Sequence, residues 1–499
     1  MISKYRRGKP DQDPRLHTQR PSVTLVAAEP IEIFATAQSD AVVGEPLILK
    51  VALIDEHANP AATSSASLVL EVIAGRADLP SALEVPAGRG WLEVECVPRT
   101  AGVLRVRVSD RARRLVALSN PVRVHESAPS TRIFWGDLHS HTDVSGDGIG
   151  SGEHAYEYAR QVTALDFYSR TDHNSYFEDG AMPGDFAEYV RLADESNAPG
   201  QFVALHGYEV SFGPPYGHHN VYFRDRPIQV GDTYSSTLPE LWKALAGRRA
   251  LTIPHHTMKM PAPVDWSDGD DPEQRRNFEI YSAHGLSEEF DPYHPLAFEQ
   301  SLFTNPSSTQ RTGTSAQRAW ENGLELSAIA SSDDHRAQPG LPHHGVAAVR
   351  ATGLTRAEIF DALYERRTYA TTGVRILLDF SVGGIEMGGR GAAPRPLEIH
   401  CAATGTDLID LVEVLRHVAG RPGFRIVATL RPGEDRFEWR TTDDPGPGAA
   451  IYYARLRQRG MVRGVVAMAW SSPVWIDADA DSRPGTSSGG GPLQRKVGR

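Results

Sequence analysis

Apolar and polar positions change rhythm along the chain, and each rhythm predicts a different kind of element. Over residues 22–128 they alternate one by one, as in "EPLILKVALID", "ASLVLEVIAG" and "GVLRVRVSD". A period of two puts apolar side chains on one face of a strand, and Gly, Pro and Asn turns keep the runs short; this predicts an antiparallel β-sandwich. Past Pro129, over residues 131–373, short apolar runs such as "RIFWGDL", "LDFYS", "ALTIPH", "NFEIYSAHG" and "LELSAIASSDDH" alternate with helical stretches. "TLPELWKALAG" begins with Thr237 and Glu240, and "TRAEIFDALYERR" with Thr355 and Glu358, each a capping box at a helix start. Leu354 and Ile359 add a hydrophobic staple to the second. Strands alternating with helices predict a parallel sheet or barrel, an α/β unit. Residues 374–476 return to strand texture and are expected to form a small β region packed on that barrel. Residues 1–21, basic and polar, and residues 477–499, rich in Gly and Ser, read as a disordered arm and tail.

Composition narrows the class. The 499 residues suit two or three domains, and 40% hydrophobic residues supply a sizeable core. No apolar run is long enough to cross a bilayer, and no apolar segment follows the basic arm, so neither a membrane span nor a secretory signal is expected. Cys96 and Cys401 stand far apart with no CxxC spacing, which excludes a disulfide framework or zinc ribbon and fits a reducing cytoplasm. A net charge of −11, with no basic helix or zinc finger, speaks against nucleic-acid binding. The β regions are available for restricting access, for binding a polymer or for pairing copies of the chain as a homo-oligomer.

Histidine placement changes the picture most. Many of the 19 histidines gather between 139 and 344, mostly at the carboxyl ends of the apolar runs, where parallel α/β folds bind ligands. In "FWGDLHSHTDVSGDG", His139 and His141 alternate with Ser140, so an extended backbone sends both imidazoles to one side. Asp147 follows in the same stretch. "SRTDHNS" adds His173, "HGYEVSF" adds Glu209, "GPPYGHHNVYF" adds His218 or His219, "TIPHHT" adds His255 or His256, and "IASSDDHRA" adds Asp333 and His335. Imidazoles and carboxylates are the donors that zinc, manganese and iron share. Any one of these pairs alone reads as a polar turn; their recurrence at successive strand ends points to a metal centre. A calcium loop from Asp143 is excluded, because His154 stands where the closing Glu is required.

In order and spacing these segments, "DLHSHT", "TDHN", a Gly-x-Glu, a following His, a strand-end Pro-His and a closing Asp-x-His, resemble the polymerase-and-histidinol-phosphatase (PHP) superfamily. The wider layout, with "GHHNVYF", "EIYSAHGLSE" and "AWSSPVWI", looks like a large bacterial branch of it whose members are mostly uncharacterised. The resemblance implies a distorted seven-stranded (β/α) barrel carrying two or three divalent metal ions (Mn, Zn or Fe). It implies a first metal on His139, His141, Glu209 and Asp333, and a second on Asp147, His173 and His335. Glu209 would bridge to a third, completed by His218, preferred to His219, and by His255, preferred to His256. Asp147 departs from members that use histidine there, which favours a harder metal such as manganese or iron.

Two neighbouring cations lower the pKa of a bridging water and neutralise charge in the transition state, so the expected activity is hydrolysis. A small phosphate ester is the leading substrate class, with hydrolysis of an amide, lactone or carbamate as the alternative and a purely binding role as a third. Arg336 and Arg170 are candidates to grip phosphate with their forked donors, or to be tied up in ion pairs with Asp334 and Asp172. His284 is a candidate to protonate a leaving group, or to support another residue by a hydrogen bond.

Overall fold

The computed structural model describes residues 28–63, 65–174, 185–230, 237–259, 262–267, 269–297 and 311–478. The arm expected over 1–21 lies outside the described residues, and so does the tail expected over 477–499 apart from residues 477 and 478. Strand dominates the rest. The alternating segments form two sheets, one ordered Glu32–Ala37, Leu47–Ile54, Trp91–Pro98, Ala77–Asp78, the other running from Asp40–Val42 through Val122–His125, Gly102–Asp110 and Ala66–Ala74 to Ala82–Val85. Leu49, Val51 and Leu53 of the first sheet and Leu68, Val106 and Val108 of the second meet in one buried cluster. The period of two in the sequence is therefore the period of burial in the sandwich.

Strands and helices do alternate after residue 131, yet the strands do not close a seven-stranded (β/α) barrel among the described residues. Arg132–Asp137 pairs in parallel with Phe167–Tyr168, and that strand in parallel with Val203–Ala204. Then the direction changes. His206–Ser211, His218–Phe223 and Ala250–His255 form an antiparallel three-stranded sheet, while Asn277–Ser282 pairs in parallel with Ser327–Ala330 in another. For the first of these pairs the reason is loop length: residues 212–217 are enough to close a hairpin but far too few for a parallel crossover of about a dozen residues. Two isolated parallel bridges, Ser140 to Asp334 and His173 to Glu209, draw these separate sheets together where the strands end.

Both capped helices form. Thr237 N–H donates to Glu240 Oε2 at 2.8 Å ahead of Leu238–Leu245, and Thr355 Oγ1 accepts from Glu358 N–H at 3.2 Å ahead of Arg356–Tyr364. Leu354 and Ile359 sit in the cluster with Phe134, Phe167, Leu251 and Ile329 that floors the strand ends. No helix among the described residues is long and apolar enough to cross a membrane.

The later β region is less separate than its texture suggests. Arg132–Asp137 pairs with Val346–Ala351, which pairs with Thr368–Thr371, and the same 14-stranded sheet continues through Val465–Ser471 and Ala450–Val462 to Leu397–Val418. Hydrogen bonds run without a break past residue 373. Cys96 and Cys401 are buried free thiols, which burial pushes up to about 11 and about 12.

Candidate metal centre

The first donors come from two segments zipped together by backbone. Asp333 N–H donates to His139 O at 2.8 Å, and His141 N–H to Asp334 O at 2.7 Å. Buried Asp137 accepts from the N–H groups of His139, Ser332 and Gly340 and so ties the end of its strand to the loop that carries Asp333. Asp333 itself has a φ of 52°, a left-handed value costly for a non-glycine residue and found chiefly where the surroundings enforce it.

That framework brings His139, His141, Glu209 and Asp333 together, each at most 4% exposed. Glu209 Oε2 lies 3.2 Å from Nε2 of both histidines, and Asp333 Oδ1 lies 3.3 Å from His139 Nε2 and 3.2 Å from His141 Nε2. The two Nε2 atoms are 3.3 Å apart. Four donors bound tetrahedrally at about 2.0–2.1 Å would stand about 3.3–3.4 Å from one another, so the residues fit a cation of zinc's size and geometry. Each imidazole is also gripped from behind: His139 Nδ1 faces Glu279 Oε2 at 3.2 Å, and His141 Nδ1 faces Ser145 Oγ at 2.9 Å. Partners at Nδ1 turn Nε2 inward and fix the ring, as in metal sites.

Charge tells the same story. Burial alone would raise the Glu209 carboxyl, but the imidazoles of His173 and His255 and hydrogen bonds from His139 and His141 hold it well below the usual carboxylate range. Asp333 is held down in the same way, by His139 and His284 against its burial. Burial opposes a charge on His139, yet the carboxylates of Asp333 and Glu279 raise it well above the ordinary imidazole value. The cage draws positive charge to itself, the role that a cation fills when it displaces protons from its ligands.

The remaining sequence candidates divide into two further groups and some outliers. Asp147 Oδ2 lies 3.1 Å from His173 Nε2 and 3.5 Å from His335 Nε2, on a side chain 46% exposed. A loop brings it back: Gly146 has a φ of 77°, and a Cβ on Gly148 would stand 2.4 Å from Thr142 O. His218 Nδ1 lies 2.8 Å from Glu209 Oε1, and His255 Nε2 lies 3.6 Å from Glu209 Oε2. His219 points the other way, its ring 6.2 Å from that of Phe212, while His256 lies beside His255 with ring centroids 4.5 Å apart. Burial and neighbouring imidazoles lower His255 to about 3 and His256 well below the ordinary value, which disfavours the protonated form of either ring.

A cavity of about 490 Å³ opens on the donors and is also lined by Lys259, His284, Arg336 and His344. His284 Nε2 lies 3.0 Å from Asp333 Oδ2, and Lys259 Nζ lies 2.7 Å from His284 Nδ1. Arg336 is exposed on the cavity wall, and Asp334 accepts the backbone N–H groups of Arg336 and Gln338 rather than the guanidinium. Arg170 is not on that wall. It is buried, stacked 3.8 Å from the Tyr189 ring and 3.4 Å from Asp172, which is the ion-pair outcome. Sequence reasoning passed over Glu279 altogether. Its one signal is a carboxylate inside the otherwise apolar strand "NFEIYS", which ends up 2% exposed behind His139.

Residues 302–397, a span that carries Asp333, His335 and Arg336, match the family described as "Protein of unknown function (DUF3604)". An uncharacterised protein of Chlamydia trachomatis is 27% identical over 407 residues, 75% of this chain. One of Chlamydia pneumoniae is 25% identical over 411 residues, again 75% of this chain. The match spans 62% of the length of each of these relatives. A solved two-domain protein from Bacteroides vulgatus, described as "containing predicted PHP-like metal-dependent phosphoesterase", aligns with 65% of this chain and 92% of its own at 16% identity and a TM-score of 0.35. That likeness is too distant to add weight to the geometry.

Proposed function

We propose that the chain is a metal-dependent hydrolase acting on a small phosphate ester. The observation that carries this reading is the spacing of the four buried donors of His139, His141, Glu209 and Asp333, at 3.2–3.3 Å from one another on the edges measured. In this reading those four residues hold one cation, Asp147, His173 and His335 hold a second, and Glu209 with His218 and His255 reaches a third. Bound divalent ions would supply Lewis-acid polarisation of substrate oxygens and a more acidic water for hydrolysis.

The chain's own groups do the rest. The Arg336 guanidinium on the cavity wall meets an anionic substrate, its fork matching two phosphate oxygens. Lys259 brings a second positive charge to the same wall, and a cationic wall favours phosphate over a neutral carbonyl substrate. An ammonium has only donors, so Lys259 Nζ donates a hydrogen bond to His284 Nδ1, which leaves the ring N–H on Nε2 to donate to Asp333 Oδ2. His284 is thereby a positioning residue for Asp333 rather than the acid for a leaving group.

The test is manganese-loaded protein, with Asp333→Ala as its blank, against p-nitrophenyl phosphate, its diester, p-nitrophenyl acetate and an anilide. Metal-dependent cleavage of a phosphate substrate is expected, falling by more than about 100-fold in the variant. Turnover confined to the acetate and anilide would overturn the phosphate reading. No metal-dependent turnover on any of the four would count against the hydrolase itself.

A further inference from the structure

Two successive histidines in a strand should point to opposite faces of the sheet. His255 and His256 do not. His255 ends the strand Ala250–His255, and His256 takes a φ of 35°, a value in the left-handed region that few non-glycine residues adopt. The twist swings the second ring back beside the first, so that the centroids are 4.5 Å apart with the planes at 90°. His218, the register partner of His255 on the neighbouring strand, brings a third ring, 5.7 Å from His255 and 4.8 Å from His256. Donor nitrogens of all three lie within 4.8 Å of one another.

Not all of these nitrogens find a partner among the described residues. His255 is 0% and His256 7% exposed, and among the described residues both ring nitrogens of His255 and Nδ1 of His256 are buried with no hydrogen-bond partner, Glu209 Oε2 coming only to 3.6 Å from His255 Nε2. Buried polar atoms are almost always paired, because an orphan loses its hydrogen bonds to water without replacement. A neutral imidazole carries one lone pair, so His255 and His256 each have one to offer a cation, and the strained backbone sets the two rings side by side. Glu209 stands against the same corner, its Oε1 2.8 Å from His218 Nδ1.

We infer that His256 is itself a metal ligand, completing with His218 and His255 a three-imidazole site for a borderline-soft divalent ion such as zinc. The inference rests on the metal-centre reading above and alters it: beside Glu209 the third position gathers three imidazoles, against two in each of the other sets. Imidazole-rich sites select zinc, copper, iron or nickel, whereas carboxylates suit manganese and magnesium. The protein then holds unlike metals, with manganese competing poorly for the His218, His255 and His256 corner.

The test uses full-length protein stripped by chelation and reloaded. Zinc stoichiometry and affinity are measured for the wild type, for His256→Ala and, as a control that leaves the corner intact, for His219→Ala. His256→Ala should weaken one zinc equivalent by about tenfold or more and leave the others in place, with His219→Ala unchanged. His256→Cys loaded with cobalt supplies a readout that does not depend on activity or on how the alanine variant folds. A thiolate on the metal gives a sulfur-to-cobalt charge-transfer band in the near ultraviolet, absent from cobalt-loaded wild type. Full zinc binding by His256→Ala, or a folded His256→Cys without the band, would overturn this inference while leaving the other positions standing. A wild type that binds no divalent ion would sink it together with the proposed function.

Discussion

His139, His141, Glu209 and Asp333 meet almost out of reach of water, whereas Asp147, on its glycine-bent loop, is 46% exposed. The inner donors are braced in several ways: by Glu279 and Ser145 behind the imidazoles, by His284 on Asp333, and by the backbone hydrogen bonds that join residues 139–141 to 333–334. Asp147 leans on His173 and His335 at 3.1 and 3.5 Å. A donor set held in place before the cation arrives loses little freedom on binding, while a donor on a loop must be ordered at that moment. The contrast teaches that, on the proposed metal-binding reading, the inner donors would make the preorganised, tight position and the outer ones the exchangeable position.

Removing the brace behind His139 should blur that contrast most. Glu279→Gln keeps the size but not the charge facing Nδ1, and a fall of about 10–100-fold in inner-site metal affinity is expected by calorimetric titration. An unchanged affinity would mean that Glu279 is a bystander. The outer position gives a smaller effect: Asp147→Asn should release one metal equivalent and cut turnover about tenfold, leaving the inner equivalent resistant to chelator. Loss of both equivalents together would show that the two positions are one. Away from the site, Thr355→Ala removes a helix cap and should lower stability by about 1 kcal/mol in urea unfolding, with metal content unaltered. A change in metal content there would tie the helix floor to the donors after all.

The local signals of the sequence carried far. Capping boxes at Thr237 and Thr355 are short-range events, so they form where they are written. Alternation over residues 32–125 became sandwich strands because a period of two has one way to bury an apolar face. Pairing direction was not legible, since the same period serves parallel and antiparallel strands. The short link over residues 212–217 decided it for His206–Ser211 and His218–Phe223. The texture change near residue 373 suggested a boundary, yet hydrogen bonding carries one sheet across it.

Residue chemistry at strand ends is what the sequence by itself determined: the donor types in "HSH", "TDH", "GYE" and "SDDH", and the local extended backbone that aims His139 and His141 to one side. Tertiary structure alone decided which donors meet. Asp333 reaches His139 through backbone pairing between segments far apart in the chain, Glu279 comes up behind His139 from another sheet, and Arg170 is withdrawn onto Tyr189. A twist at one residue sets His256 beside His255, whereas ordinary strand alternation turns His219 away from His218 toward Phe212. Periodicity reports which face of an element a side chain takes; distances across elements follow from packing and loop length, which no local pattern encodes.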